Sequence, residues 1–171
     1  MKGNERILQS LNDRLAEELT AVNQYMVHSK VCENWGYERL HDGIRAQAMD
    51  ELSHAEWLIE RIIFLDGVPS VSGLNPIKVG TTVEEMIDND CEDELDSITN
   101  YNESIRLAVE CGDNGSRELF VKILRMEEGH IDWGESQRNQ IAQMGITNYL
   151  MSQAKEVERP NSMQRVSQGA R

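Results

Sequence analysis

Residues 66–81 read DGVPSVSGLNPIKVGT, and the reading of this stretch decides the fold. Pro69 and Pro76 remove backbone donors, and Gly67, Gly73 and Gly80 loosen the chain, so the segment cannot be helical. It is also too long for a tight turn between neighbouring elements. It is therefore expected to run the length of whatever lies on either side of it.

What lies on either side is helical. Upstream, Ile7, Leu11, Leu15, Leu19, Val22, Met26 and Val31 recur at helical spacing and predict a helix over residues 5–35, stopped around NWG at 34–36. Leu40, Ile44, Ala48, Ala55, Leu58 and Ile62 predict a second helix over 37–65, ending at Asp66 and Gly67. The short connection makes these two antiparallel neighbours. Downstream, Thr82 and Glu85 form a capping box for a third helix striped by Val83, Ile87, Cys91, Ile98, Ile105 and Ala108. CGDNGS at 111–116 ends it. A fourth helix is expected after Ser116, with Leu119, Ile123, Ile131 and Ile141 on one side and Gly145 as its stop. ITNYLMSQAKEV, residues 146–157, suggests a short fifth helix.

The expected fold is thus all-α: a four-helix bundle with one long crossover and a short fifth C-terminal helix. One domain covers residues 1–158, and the polar residues 159–171 read as a disordered tail.

Composition agrees and narrows the function. Aromatic residues make up only 5% of the chain, which disfavours strands. A formal charge of −13 leaves no basic excess to neutralise phosphates, so neither a nucleic acid nor an anionic membrane is an expected partner. Such a surface attracts cations. Cys32, Cys91 and Cys111 show neither a C-x-x-C spacing nor an even count, and read as reduced, mostly buried side chains. The stretch MKGNERILQS has no apolar targeting region and no apolar run is long enough to span a bilayer, so a cytoplasmic protein is expected.

Against this background, six ionisable residues fall where a core should be. On the first helix the inward positions 11, 15, 22 and 26 bracket Glu18. In DELSHAE, residues 50–56, Glu51 and His54 lie between Ala48 and Leu58 on the buried stripe. Glu94 lies between Cys91 and Ile98, and Glu127 and His130 follow Ile123. The six are internally duplicated. Glu51 follows Glu18 by 33 residues and Glu127 follows Glu94 by 33, while 18, 51 and 54 each map onto 94, 127 and 130 by a shift of 76. The same shift carries Tyr25 onto Tyr101. Two helical hairpins related by a pseudo-twofold would set two equivalent half-sites face to face. The chain contains its own control: Glu38 and His41 also form a Glu-x-x-His, but their shifted positions are Asn114 and Arg117, so this pair reads as solvated near a helix end.

Four ionised carboxylates bring a charge that an apolar interior cannot hold alone. With two neutral histidines, two divalent cations restore neutrality. Oxygen donors with one imidazole per ion suit iron or manganese, and two terminal and two bridging glutamates would hold the ions ~3.5–4 Å apart. This arrangement is the established pattern of ferritin-like carboxylate bundles.

At these residues the chain resembles the bacterioferritin family, a branch of the ferritin superfamily, from Met1 to about residue 157. NQY at 23–25, NWG at 34–36, FLDGVPS at 64–70, EEGHIDW at 127–133 and MGITNYL at 144–150 carry the likeness. The resemblance implies iron storage and a ferroxidase that oxidises Fe²⁺ with O₂ or H₂O₂ at a di-iron centre inside each bundle, with mineral kept in a cage of 24 chains. It assigns the metal to Glu18, Glu51, His54, Glu94, Glu127 and His130. It places Tyr25 and Trp133 near the centre as electron sources, although ordinary core packing also accounts for both. It places Asn34, Asp66 and Asp132 along a pore at a subunit junction.

Two positions depart from the family. Its haem takes an axial methionine directly after the first motif's Glu, where this chain has Leu52, which has no lone pair for iron. Met26 and Met49 lie on the same helices and could pack on or ligate a haem. Either a haem-free homopolymer or a cage mixed with a haem-binding subunit is expected. Ala46 stands where some members have a histidine, which would leave Asp50 without that partner. Two rival readings remain: a di-iron oxidase or peroxidase of another ferritin-like family, and a metal-free scaffold. A rubrerythrin-like peroxidase would need a C-x-x-C pair, which is missing, and a scaffold would leave an acidic core without counter-ions.

Overall fold

A computed structural model describes residues 1–154. The expected tail at 159–171 and the last residues of the expected fifth helix lie outside the described residues. Five helices follow in order: α1 (Glu5–Asn34), α2 (Glu38–Phe64), α3 (Val83–Glu110), α4 (Asn114–Met144) and α5 (Ile146–Gln153). All-α is the fold class.

Local chemistry sets the helix ends. Asn4 caps α1 by accepting the Arg6 amide at 2.8 Å. Thr82 caps α3 by accepting the Glu85 amide at 3.1 Å, but the return bond of the expected capping box is displaced: the Glu85 carboxylate accepts from the Thr81 amide at 2.7 Å. The fourth helix starts earlier than its apolar pattern implies. Asp113 caps it, its carboxylate accepting the Ser116 amide at 3.0 Å and hydroxyl at 2.8 Å. The same Asp113 pairs with Arg61 at 2.6 Å and so ties the end of α2 to the start of α4. Gly145, at φ 76°, ends α4 in a conformation that favours glycine and lets α5 turn back.

Helices α1 and α2 form one antiparallel hairpin, α3 and α4 the other, with α1 facing α3 and α2 facing α4. Thirty residues of helix make α1 about 45 Å long, and sixteen extended residues reach roughly 50 Å, so residues 66–81 return the chain to the far end of the bundle. An extended segment needs partners for its backbone, and α1 supplies them as a ladder. Ser70 N donates to Asn12 Oδ1 at 2.7 Å, Asn75 N to Thr20 Oγ1 at 2.9 Å, Lys78 N to Gln24 Oε1 at 2.9 Å, and Gly80 N to His28 Nε2 at 3.3 Å.

That ladder explains a correction to the apolar reading of α1. Val22, Met26 and Val31 are only partly buried, while Gln24 and His28 are wholly buried beneath the crossover and against α3, and Ser29 is wholly buried against His41 of α2. Asp90 of α3 holds this row, lying 2.9 Å from His28 Nδ1 and accepting Gln24 Nε2 at 2.9 Å. His41 is a second correction. It is buried, not solvated, with Nδ1 3.0 Å from the Ser29 carbonyl oxygen.

The core falls into two apolar clusters. One surrounds Leu11, Leu15, Leu58, Ile62, Phe120 and Ile123; the other surrounds Tyr25, Leu40, Ile44, Met86, Ile131 and Tyr149. Between them sits a polar layer.

Candidate metal centre

The polar layer is made of the six expected residues. Glu18 from α1, Glu51 and His54 from α2, Glu94 from α3, and Glu127 and His130 from α4 are all buried, none more than 7% exposed. Each Glu-x-x-His pair shares a helix face because residues three apart are neighbours there. Among the described residues two groups have ligand atoms within 4.8 Å of one another: Glu18, Glu51, His54 and Glu127, and Glu51, Glu94, Glu127 and His130. The groups share Glu51 and Glu127 and each has its own histidine. The two imidazoles face each other with centroids 6.0 Å apart.

Contacts inside the layer converge on points rather than pairing off. His54 Nδ1 lies 3.2 Å from Glu18 Oε2, 2.9 Å from Glu51 Oε2 and 3.1 Å from Glu127 Oε1, although one ring nitrogen has at most one hydrogen to give. His130 Nδ1 lies 2.8 Å from Glu51 Oε1 without hydrogen-bond geometry, and Glu51 Oε1, Glu127 Oε1 and His130 Nδ1 are buried without a hydrogen-bond partner. Buried polar atoms rarely stay unpaired, and atoms gathered this closely could hold a cation between them. The donor set fits two divalent ions of the iron class.

Electrostatics within the layer couples the six groups. Burial, then the charges of Glu127 and Glu51, raise Glu18 well above the usual carboxylate range. Burial also raises Glu94, against the pull of His130. Burial raises Glu51 and Glu127 too, and the charge of Glu51 adds to it at Glu127, but the closeness of the two imidazoles outweighs this and holds both below the ordinary value. Burial lowers His54, yet the carboxyls of Glu127, Glu18 and Glu51 packed around it push it up to about 12; His130 is raised in the same way by Glu127, Glu51 and Glu94. The shifts thus push Glu18 and Glu94 toward the neutral acid and both imidazoles toward the cation, each of which lessens the negative charge that four buried carboxyls would carry. Four carboxylates around two divalent cations are neutral. Two such ions would therefore leave the interior without net charge.

The ferritin-like domain family matches residues 8–144. The chain is 40% identical over 149 residues to a bacterioferritin of Brucella melitensis, covering 87% of this chain and 92% of that one. It is 42% identical over 154 residues to a bacterial ferritin of Synechocystis, covering 90% and 99% respectively. It is 37% identical over 162 residues to a bacterioferritin of Mycolicibacterium paratuberculosis, covering 95% and 100%. The chain belongs to the bacterioferritins.

The remaining expected residues of this bacterioferritin are placed unevenly. The Tyr25 hydroxyl donates to Glu94 Oε1, next to the metal layer. Trp133 lies farther along α4 and packs over Gly43, where an added Cβ would fall 2.8 Å from the indole ring. Leu52 and Met49 are 37% and 44% exposed on α2, and Met26 Sδ accepts a hydrogen bond from Arg45 at 3.4 Å. Asn34, Asp66 and Asp132 are exposed. Asn34 and Asp66 lie at opposite ends of the α1–α2 hairpin, so one chain does not bring them together. Asp50 has a partner despite Ala46: its Oδ2 is 3.4 Å from His130 Nε2, which orients the ring from behind. Among the described residues no helix is long and apolar enough to cross a membrane, and all three cysteines are free thiols.

Sequence reasoning left two features unassigned. Tyr101 donates to Glu18 Oε1, a contact visible in the sequence only as the shifted image of Tyr25. A cavity of about 260 Å³ beneath the crossover is lined by Glu18, Glu51, Glu94 and Glu127 and, nearer its mouth, by Asp93 and Lys78, which are joined by a 2.9 Å ion pair. No periodicity announces it, because it is a gap between α1 and α3.

Proposed function

We propose that this bacterioferritin is a cytoplasmic ferroxidase and iron store that assembles about 24 copies of the chain into a closed cage. Fe²⁺ is the substrate. Two ions bind per chain, one in each four-residue group, with Glu51 and Glu127 common to both, and O₂ or H₂O₂ accepts their electrons. The ferric product is stored as mineral within the cage. The observation that carries this reading is the pair of overlapping ligand groups between two apolar clusters, with oxygen and nitrogen atoms buried and unpartnered.

The chain's own residues have separable tasks. Glu51 and Glu127 hold the two ions close enough to act on one oxidant molecule. His54 and His130 give each ion one nitrogen, and Asp50 fixes the His130 ring. Glu18 and Glu94 complete the two ends, each held by a tyrosine hydroxyl from the opposite hairpin. In this reading Tyr25 gives an electron through Glu94, supported by its hydrogen bond there, and Trp133 serves farther along α4. The apolar clusters on either side exclude bulk water.

Leu52 bears on haem. A homopolymer of this chain lacks the usual bis-methionine ligation, and haem enters only a cage mixed with a subunit that supplies methionine. Asn34, Asp66 and Asp132 line a pore only where chains meet.

The test is aerobic loading of the assembled protein with excess Fe²⁺, followed by size-exclusion chromatography with iron and protein measured in each fraction. Iron eluting with a particle some 24 times the chain mass is expected. Protein eluting as monomer or dimer without iron would overturn the storage reading.

A further inference from the structure

We infer that Tyr101 is a second electron donor to oxygen at the metal centre, working with Tyr25 across the pseudo-twofold; this rests on the ferroxidase reading above. The two tyrosines are related by the same 76-residue shift as the ligands, and their contacts are related too. The Tyr25 hydroxyl of α1 donates to Glu94 of α3, and the Tyr101 hydroxyl of α3 donates to Glu18 of α1. Each half-site thus has a phenol bonded to its end glutamate. Tyr25 and Tyr101 are 1% and 0% exposed, so an oxidised ring in either place is shielded from solutes.

Glu18 joins the phenol to the reaction. Its Oε1 accepts the Tyr101 hydrogen, while its Oε2 lies 3.2 Å from His54 Nδ1, on the side of the ligand cluster. The Arg14 guanidinium lies 5.9 Å from the centre of the Tyr101 ring and is itself held by the Asn100 carbonyl, Ser104 and Glu17. A fixed cation beside the ring opposes positive charge on it, so loss of an electron must be accompanied by loss of the phenolic proton. The hydrogen bond to Glu18 gives that proton its destination.

The electron count gives the pair its use. O₂ needs four electrons and four protons to become two waters. Two Fe²⁺ supply two electrons and stop at H₂O₂. Tyr25 and Tyr101 supply one electron and one phenolic proton each, passed by way of Glu94 and Glu18, and solvent supplies the remaining two protons. Both O–O and O–H bookkeeping then close: the O–O bond breaks, both irons become ferric, and two neutral tyrosyl radicals remain. Each radical returns to tyrosine by taking one electron from a further Fe²⁺ and one proton from water.

The experiment uses the assembled, metal-stripped protein loaded anaerobically with two Fe²⁺ per chain, mixed with O₂ and freeze-quenched for electron paramagnetic resonance. A tyrosyl signal is expected in wild type, retained in Tyr25→Phe and lost in Tyr25→Phe/Tyr101→Phe; Tyr37 and Tyr149 remain in every variant. Loss of the signal in Tyr25→Phe alone, or its survival in the double variant, would overturn the inference. Anaerobic Co²⁺ titration checks that Tyr101→Phe still binds two ions per chain. Should that variant misfold, 3-fluorotyrosine at position 101 in the Tyr25→Phe chain keeps the hydroxyl, and added fluorine splitting in the radical signal is the expected result; an unsplit signal contradicts it. Absence of rapid Fe²⁺ oxidation in wild type would instead sink the ferroxidase reading, so the two failures are distinguishable.

Discussion

Glu51 Oε1 and His130 Nδ1 stand 2.8 Å apart and yet are not aligned as a hydrogen bond. Each is directed at a space that it shares with its neighbours, and the same is true of His54 among three glutamates. Burial and mutual contact favour the protonated forms of Glu18, Glu94, His54 and His130, so an ion binding there competes with protons.

Metal loading should therefore release protons and strengthen as pH rises. Glu18, Glu94, His54 and His130 are all raised in the ion-free protein, and all four must be deprotonated to bind. The sign follows: the free form holds protons that the loaded form lacks, so higher pH favours loading. Anaerobic Co²⁺ calorimetry in buffers of differing ionisation enthalpy should show net proton release on loading. Affinity independent of pH between 6 and 8 would contradict this.

Gln24 should govern the crossover. Its side chain accepts from Lys78 N and donates to Asp90 and Asp93 at 2.9 and 2.8 Å, all from a fully buried position. Gln24→Ala leaves these partners short and should cost about 1–3 kcal/mol. Hydrogen exchange should show faster exchange at Lys78 and its neighbours, with the first turns of α1 unchanged; unaltered crossover protection would speak against the ladder.

Gly134 allows α4 to approach α3. A Cβ there would lie 2.5 Å from Cys91 Sγ, so Gly134→Ala should destabilise the chain by roughly 1–3 kcal/mol in urea denaturation. Cys91→Ala should restore part of that loss, since the two changes share one contact. Strict additivity would show that the contact is not the cause.

Leu52→Met tests the reading of haem. Reconstitution with haem b should give a bis-methionine spectrum in assembled Leu52→Met and not in wild type. The same spectrum from wild type would show that Met26 or Met49 suffices.

The fold was legible because its strongest signals are local: apolar spacing for the helices, and Pro69 and Pro76 for the crossover. The six ligands were legible because charge on an apolar stripe conflicts with burial, and because duplication made the conflict happen twice. Gln24, His28 and His41 were not legible in the same way. Their burial depends on hydrogen bonds to the crossover and to Ser29, partners distant or unmarked in sequence, so polarity alone pointed outward. The start of α4 was misplaced for a related reason, since Asp113 caps the helix before any apolar residue announces it. Tyr101 appeared only as a symmetry mate until its bond to Glu18 was seen.

The measurement that tests the central claim most directly is an anaerobic-to-aerobic Fe²⁺ titration of metal-stripped protein, followed by near-ultraviolet absorbance. A rapid phase that saturates at about two irons per chain, and that is abolished by Glu127→Ala or His54→Ala, is the predicted result. Oxidation no faster than in buffer, with no break in stoichiometry, would contradict it and leave the six buried residues to another metal or to structure alone.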